Sequence, residues 1–250
     1  MIVKPDNIYL DGDVIVAKEY EISDFYLNQH LEMLTGPTSD YLINADANIS
    51  KQVLREDMEN HLNSKSVVPF AFYKEDMLIA TSFLYIQSDH TMNAGLLIKD
   101  GVYRGTKLFG LIKLGVYLKG LNLVENVERI KGQVNISNIA GMAAYYAFGF
   151  RFIGKDSDYV YFETSTKAML QYALLKLSPV LRGFGINLED DELDINRELA
   201  ALEGFSSLSY SELLSDLLNR FPHLAIDELL EIKSLKDLVH VLGFNLYSLA

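Results

Sequence analysis

The sequence of 250 residues contains no cysteine. This absence excludes disulfide bonds, thiolate nucleophiles and metal sites built on sulfur ligands. The five histidines are scattered along the chain, and no two of them have the spacing of a ligand pair on one helix or strand. The sequence therefore predicts no metal site. The histidines are His30, His61, His90, His223 and His240.

Long uninterrupted apolar runs are also lacking. The most apolar long segment, LFGLIKLGVYLKGLNLV, carries Lys113 and Lys119 in its interior. The N-terminal segment, MIVKPDNIYLDGD, is charged early and has no apolar core of the signal-peptide kind. We therefore expect a soluble cytoplasmic protein that has no membrane partner.

Positive charge is scarce, above all in the last quarter of the chain. The formal net charge is −12, and the residues from Gly183 onward contribute 13 acidic and only 4 basic side chains. Such a field repels phosphate backbones, so we expect no nucleic-acid partner, and a basic protein partner is favoured instead. An apolar content of 49% over this length can fill one large core or two modest ones.

Between Ser50 and Glu163 the periodicity of the apolar residues alternates between strand and helix. A surface helix behind a serine cap comes first, followed by a hairpin that turns at 74–76. Strand, helix, strand, helix and a second hairpin turning at 155–158 complete an α/β order. The segments are Ser50–Asn63, Val67–Gln87, Ala94–Tyr103, Thr106–Gly120, Arg129–Ile136, Asn138–Phe148 and Gly149–Glu163, with Leu108, Leu111, Ile112, Gly115 and Leu118 on one face of the second helix.

After Glu163 the pattern is helical, with no strand. A first helix, from Thr166, is expected to end at Pro179, and two further helices are indicated at Ser209–Phe221 and Ser234–Gly243. We therefore divide the chain into an α/β domain at residues 1–165 and an all-helical domain at residues 166–250, to which most of the acidity belongs.

Two motifs of the α/β part keep a recognisable spacing. The first, YRGTK, joins a strand to a helix, and the second runs from Asn138 through Tyr145 to Gly149 and Phe150. Together they resemble the GNAT superfamily of N-acyltransferases, in which a phosphate-binding loop precedes a helix, and an asparagine is followed seven residues later by a tyrosine and then by Gly-Phe. The resemblance covers residues 65–163 and implies a mixed sheet with flanking helices.

The resemblance implies a site for acetyl-CoA or another acyl-CoA. Tyr145 would protonate the leaving thiolate, and Asn138 would bond the pantetheine arm. Free N–H groups at a helix start suit a pyrophosphate, and a strand that separates from its neighbour offers backbone groups to the arm and to the carbonyl oxygen. The loop residues are Arg104, Gly105, Thr106 and Lys107, and the strand residues are Leu97, Ile98 and Lys99.

The phosphate loop departs from the family pattern at two positions. Lys107 stands where the family has glycine, and Phe109 stands where it has glycine or alanine. Side chains at these positions prevent the close approach of the backbone to a pyrophosphate. Either Lys107 replaces the lost contacts with its charge or the loop has lost its nucleotide. No acidic residue lies in the strand Ala94–Lys99, so the candidates for a general base are Asp89 and His90 at its entrance.

The segment GFSSLSYSEL, which starts at Gly204, is similar to the attachment segment of acyl and peptidyl carrier proteins. In that family the serine at the position of Ser207 carries 4′-phosphopantetheine, and an aspartate stands where this chain has Ser206. Serine is also a preferred helix cap, and Ser209 and Glu212 have capping-box spacing. Attachment site and cap both remain open from the sequence, and a carrier-like helical bundle is expected for residues 166–250.

These patterns support three hypotheses about function. The first is an acyltransferase that moves an acyl group from a pantetheine thioester, on coenzyme A or on a carrier protein, to a small-molecule amine. It has a tethered carrier-like domain, for which a phosphopantetheinyl transferase is the expected partner. The second is an ordinary acetyl-CoA-dependent N-acetyltransferase with a structural helical domain. The third is a non-catalytic interaction protein, which agrees with the altered loop and with Ser206.

Overall fold

The computed structural model describes residues 5–10, 12–36, 49–87, 90–99, 107–124, 126–188 and 194–249. Eight strands form one sheet in the order β1-β2-β3-β4-β5-β6-β8-β7. Neighbouring strands pair antiparallel except β5 and β6, which run parallel. The strands are β1 Asp6–Leu10, β2 Asp13–Glu19, β3 Val67–Lys74, β4 Met77–Ile86, β5 Thr91–Ile98, β6 Arg129–Asn135, β7 Arg151–Lys155 and β8 Tyr159–Ser165.

The described residues form eight α-helices, and serine or asparagine side chains cap several of them. Ser50 caps α2, as its sequence predicts, because its hydroxyl accepts from the Val53 amide. Two 3₁₀ helices, Leu199–Ala201 and Gly243–Leu249, add to the C-terminal part. The α-helices are α1 Asp24–Thr35, α2 Lys51–Asn63, α3 Leu108–Leu123, α4 Ile139–Ala147, α5 Thr166–Gly183, α6 Ser207–Arg220, α7 Ile226–Leu230 and α8 Leu235–Leu242.

Both hairpins predicted from the alternating pattern are present. β3 pairs with β4 across the turn at 75–76, where Glu75 has a positive φ of 53°. β7 pairs with β8 around the predicted turn at 155–158, and the Asp156 side chain accepts from the amides of Asp158 and Tyr159. The carboxylate thus fixes this turn by bonding its own backbone.

The two faces of the sheet bury different clusters. On one face, which we call the α3 face, α3, α4, α5 and the C-terminal helices pack over apolar residues of all the central strands. On the other, the α1–α2 face, the two N-terminal helices cover a smaller cluster around Tyr20, Leu27 and Tyr73. Successive residues of β3 alternate between these clusters, as the period of two requires.

The C-terminal segment packs directly on the α/β part. Phe244, which is 1% exposed, touches Phe70 and Phe72 with ring centroids 6.1 and 5.5 Å apart. The Asn245 side chain donates to the Asn7 carbonyl at 2.7 Å and accepts from the Tyr9 amide at 3.1 Å. The helices after Thr166 and the sheet therefore share one hydrophobic cluster, and a division into two domains at 165/166 stays a prediction.

This packing buries α3 well beyond the one face on which Leu108, Leu111, Ile112, Gly115 and Leu118 lie. Nearly every residue from Leu108 to Gly120 is buried, because the sheet covers one side of α3 and the Gly243–Leu249 helix covers another. A Cβ on Gly115 would lie 2.0 Å from the Phe244 ring, so this contact requires glycine.

The expected end of the first C-terminal helix at Pro179 is also wrong, since α5 continues to Gly183. Proline removes one backbone donor, which leaves the carbonyl four residues earlier without its helical partner. That carbonyl belongs to Leu175, whose side chain is exposed, so solvent can reach this side of the helix. In the described part of the chain, no helix is both long enough and apolar enough to cross a membrane.

Candidate functional site

The central feature of the sheet is a fork between β5 and β6. Their parallel ladder covers only three residue pairs, Thr91 to Asn93 with Arg129 to Lys131. Beyond these pairs β5 continues beside β4 as far as Ile98, whereas β6 continues beside β8 as far as Asn135. The separation of two neighbouring strands that the sequence predicts before Arg104 is therefore present, and the fork begins at Ala94.

The direction of the backbone groups on β5 follows from its pairing with β4. The Gln87 amide donates to Thr91 O, and the Lys99 amide donates to Ile79 O at 2.8 Å. Because the direction of antiparallel bonds alternates along a strand, the backbone groups of Leu97 and Lys99 point to β4. Those of Ala94, Leu96 and Ile98 point into the fork.

The opposite wall is β6, and the same reasoning applies. The Ile136 amide donates to Asp158 O and the Thr166 amide to Glu128 O, which directs the even-numbered residues of β6 toward β8. The backbone groups of Gln133 consequently face the fork. Two strands thus offer amides and carbonyls to the same gap, which suits an extended ligand with amide groups of its own.

Tyr145 lies at the closed end of this fork. It is 5% exposed on α4, and its ring stacks on Phe162 with centroids 5.1 Å apart and meets the edge of Phe150. The ring covers Gly132, the first residue of β6 beyond the ladder, where a Cβ would lie 2.2 Å from a ring carbon. The glycine allows the aromatic ring to approach the backbone at the point where the strands part.

Lys113 reaches the same point from α3. Its side chain is buried, and its Nζ donates to the carbonyl of Ala94, the first residue of β5 beyond the ladder. The nitrogen lies 5.1 Å from the centre of the Tyr145 ring and 5.4 Å from that of Tyr117. Burial, and then the neighbouring Tyr145, raise the pKa of Tyr117 well above its ordinary value.

Asn138 and Lys107 lie at the starts of the two helices that flank the fork. Asn138 is the N-cap of α4, and its Oδ1 accepts from the Gly141 amide at 2.8 Å. Lys107 is exposed and immediately precedes α3 without capping it. The other predicted loop residues, Arg104, Gly105 and Thr106, lie outside the described residues, as does Asp89.

His90 is not brought to the fork. It is exposed at the start of β5, and its carbonyl accepts from the Glu128 amide at 2.9 Å. Ala94 lies four positions further along the chain, which corresponds to about 13 Å along a strand. The ladder of three pairs lies between them, so the structure separates His90 from Tyr145.

On the α1–α2 face, the sheet is open beside the part of β5 that borders the fork. Gly95 is exposed in the middle of the sheet, and nothing lies within 4 Å of the position that its Cβ would take. Nearby His30 is buried, with Nδ1 3.1 Å from the Tyr20 hydroxyl. Burial, and then the charge of His61, lower the pKa of His30 to about 4, so its ring is neutral at neutral pH.

The serine segment begins α6, and capping is the role of Ser206 rather than of Ser207. Ser206 is the N-cap and forms a capping box with Ser209, so the box expected at Ser209 and Glu212 is wrong. Ser207 is the first helical residue and its side chain is exposed. Gly204 has φ +78°, and a Cβ there would lie 1.8 Å from the Gly185 carbonyl oxygen, so the turn before the cap requires glycine.

Sequence reasoning missed three members of the fork. In the sequence Lys113 stands out only as an interruption of an apolar segment, and Tyr117 and Gly132 do not stand out. A lysine within an otherwise buried helix could have indicated a buried charge, since ammonium groups are rarely enclosed without a partner. The position of Gly132 opposite Tyr145 depends on tertiary packing, which leaves no local signal.

No family model and no curated protein matches this sequence. Solved structures do match the fold. An uncharacterised protein from Bacillus halodurans has a TM-score of 0.57 and 10% identity, with 69% of this chain and 95% of that chain covered. RimJ from Mycobacterium smegmatis, in complex with CoA-disulfide, has a TM-score of 0.53 and 10% identity, with 68% and 93% covered.

A third match is the spermidine N-acetyltransferase from Vibrio cholerae in complex with CoA and spermine. Its TM-score is 0.52 at 15% identity, and 62% of this chain and 98% of that chain are covered. Acetyltransferases thus share this fold, which confirms the GNAT-like part of the predicted fold class. The carrier-like character of residues 166–250 stays a prediction.

Proposed function

We propose that the protein is an N-acyltransferase that moves an acyl group from a pantetheine thioester, such as acetyl-CoA, to a small-molecule amine. The observation that carries this proposal is the fork, because beyond their short ladder two strands direct backbone groups into one gap and a buried tyrosine closes its end. Matched structures of the same fold have CoA bound, which supports a CoA thioester as the donor.

The described residues fit a pantetheine arm. The arm has two amide groups, and the backbone groups of Leu96 and Ile98 on one wall and Gln133 on the other can bond them. Of the three predicted strand residues, Ile98 keeps its role in binding the arm. The backbone groups of Leu97 and Lys99 point toward β4 instead. Lys107, at the start of α3, would lie at the phosphate end, together with Arg104, Gly105 and Thr106.

In this proposal Tyr145 supplies the proton for the leaving sulfur. Its hydroxyl belongs to a ring that is fixed by Phe162 and Phe150, so little reorientation is required during the reaction. The amine approaches from the α1–α2 face, where Gly95 leaves open space beside β5. Asn138 acts as the cap that orients α4, and hence Tyr145, in addition to its proposed bond to the arm.

Acyl transfer is tested by incubating the purified protein with acetyl-CoA and a panel of amines, and following the release of free CoA thiol. The panel covers polyamines, amino sugars, amino acids and peptide N-termini. Tyr145→Phe should lower kcat by about 10²–10⁴-fold, because it removes only the acid. Wild-type protein that binds neither CoA nor acetyl-CoA in calorimetry would contradict the proposal.

The exposed position of Ser207 favours a second proposal, that this residue carries 4′-phosphopantetheine. Because Ser206 is the cap, the Ser207 hydroxyl is available at the start of α6. Intact mass after coexpression with a broad phosphopantetheinyl transferase tests this attachment, with Ser207→Ala as the matched control. An unmodified wild-type chain would leave the acyltransferase proposal intact and remove the tethered carrier.

A further inference from the structure

Lys113 is a buried charge at the reacting end of the fork. Its side chain is 3% exposed, and the contacts of its Nζ within the described residues are the Ala94 carbonyl and the rings of Tyr117 and Tyr145. None of these groups is a carboxylate. A buried ammonium without an ion-pair partner is unfavourable for folding, so its presence requires a reason other than stability.

The ammonium has unused bonding capacity at this point. A lysine ammonium has three N–H donors, and the Ala94 carbonyl accepts one of them. The buried Tyr117 hydroxyl lies beside Tyr145 and the Ala94 backbone, but no hydrogen bond of regular geometry joins it to a described residue. Buried polar groups are normally paired, so the remaining N–H donors of Lys113 indicate an acceptor that arrives with a ligand.

The position of these groups identifies the acceptor. Ala94 on β5 and Gly132 on β6 are the first residues beyond the ladder, so Lys113 and Tyr145 meet where an arm lying in the fork must end. The end of a pantetheine arm is the sulfur with its acyl group. The thioester carbonyl oxygen is a neutral acceptor that becomes negatively charged during attack by an amine.

We propose that Lys113 is a catalytic residue that donates a hydrogen bond to the thioester carbonyl oxygen and stabilises its developing negative charge. This inference rests on the proposed function. The amine nitrogen forms a bond to the carbonyl carbon, the carbon–sulfur bond breaks, and the sulfur takes the proton of Tyr145. The proton lost by the nitrogen returns to the Tyr145 oxygen through water, so the protein ends unchanged.

A positive charge here acts differently from the backbone donors of the strands. The low local dielectric of a buried site strengthens its attraction for the oxygen, and the fixed position requires no reorganisation during reaction. Because the charge on the oxygen grows toward the transition state, Lys113 should contribute more to kcat than to binding.

The test compares Lys113→Met, which keeps the length and removes the charge, with Lys113→Arg, which keeps the charge. Lys119→Met is the matched control, since Lys119 lies on the same helix and pairs with Asp6 at 2.8 Å instead. Lys113→Met should lower kcat by about 10²–10³-fold and change the KM for acetyl-CoA less than about threefold, with partial recovery in Lys113→Arg. Lys119→Met should leave kcat unchanged.

A binding measurement separates this inference from the proposed function. At pH 6.5, where a free thiol is protonated, wild-type protein should bind acetyl-CoA about tenfold more tightly than CoA, because only the former has the carbonyl oxygen. Lys113→Met should bring the two dissociation constants together. A wild-type preference that persists in Lys113→Met would overturn the role of Lys113, and would do so even if no amine in the panel were acylated.

Thermal unfolding identifies a merely structural role. Removal of an unpaired buried charge should leave the Tm of Lys113→Met at or above that of the wild type. A large drop in Tm, together with unchanged binding preference, would mean that the lysine serves packing alone. Failure of the wild-type protein to bind acetyl-CoA would overturn both the proposed function and the role of Lys113.

Discussion

The two faces of the sheet differ in how completely they are closed. The α3 face is covered by several helices, from α3 to the C-terminal 3₁₀ helix. Its cluster contains the fork residue Tyr145, beside which Lys113 is buried. The α1–α2 face buries fewer residues and leaves Gly95 open in mid-sheet. Under the proposed function, the closed face would fix the reacting groups and the open face would admit the amine. Each prediction below tests one part of that contrast.

The largest effect is expected where the C-terminal segment closes the α3 face. Phe244→Ala should lower the free energy of unfolding by about 3–5 kcal/mol, because the ring fills the space between Phe72 and Gly115. Urea unfolding followed by circular dichroism measures it. Phe25→Ala is the control, since that ring is 57% exposed on α1 and should cost less than about 0.5 kcal/mol.

An effect of Phe244→Ala no larger than that of Phe25→Ala would mean that the C-terminal segment is not part of the sheet's core. Residues 166–250 would then behave as a separate unit, as the composition and charge predicted. We expect instead that residues 1–165 and 166–250 unfold together in one transition, because one hydrophobic cluster contains residues of both.

The elements of the α/β part could be predicted from local patterns because each has its own signal. Period-two runs around a polar turn predict β3 and β4, and the Ser50 cap predicts α2. The depth at which α3 is buried could not be predicted in this way. It depends on Phe244, which lies more than 120 residues further along the chain and contacts Gly115 only in the folded state.

On the α1–α2 face, His30 should make stability sensitive to pH. Its folded pKa of about 4 lies below the ordinary 6.5, so between these values the unfolded chain binds a proton that the folded chain does not. Stability should therefore fall as the pH falls from about 6.5 to about 4, by up to about 3 kcal/mol from this residue. His61, whose pKa is also lowered by burial, contributes in the same direction.

Chemical denaturation at pH 7 and at pH 4.5 measures this slope. His30→Gln, which keeps a polar group near Tyr20, should flatten it, whereas substitution of the exposed His90 by glutamine should not. Equal slopes in the wild type and His30→Gln would mean that the α1–α2 face is open enough to hydrate the imidazole. The two faces would then differ more in their exposure to solvent than the sizes of their clusters indicate.

The candidate site was predictable only where the residues follow one another in sequence. The spacing from Asn138 to Tyr145 and Gly149-Phe150 places the tyrosine on α4, but the residues around its ring come from four separate segments. Lys113, Gly132 and Phe162 meet it only after the sheet forms, and the Ala94 carbonyl joins this group by accepting from Lys113. Which backbone groups face the fork likewise depends on the register of β5 with β4, which a sequence does not specify.

A substitution at Gly132 tests how tightly the α3 face packs around the Tyr145 ring. In Gly132→Ala the added methyl group would overlap the Tyr145 ring, so the ring must move or β6 must shift. We expect a loss of about 1–3 kcal/mol in the free energy of unfolding and a fall in kcat. Gly154→Ala is the control, because nothing lies within 4 Å of that Cβ position on β7.

The double variant Gly132→Ala with Tyr145→Phe separates position from chemistry. If the alanine acts by displacing the tyrosine hydroxyl, it should lower kcat further by only a small factor in the phenylalanine background. An undiminished effect there would assign the loss to β6 itself, and the fork would then be the sensitive element.

The smallest effect concerns the start of α6, where adjacent serines have different neighbours. Ser206→Ala removes an oxygen that accepts from the Ser209 amide at 3.0 Å, and it should lower the free energy of unfolding by about 1 kcal/mol. Ser207→Ala removes an exposed hydroxyl that caps nothing, and should change stability by less than about 0.5 kcal/mol. Urea unfolding of the unmodified proteins measures both. A larger loss in Ser207→Ala would show that its hydroxyl serves the fold, and would remove the reason for treating it as a free attachment point.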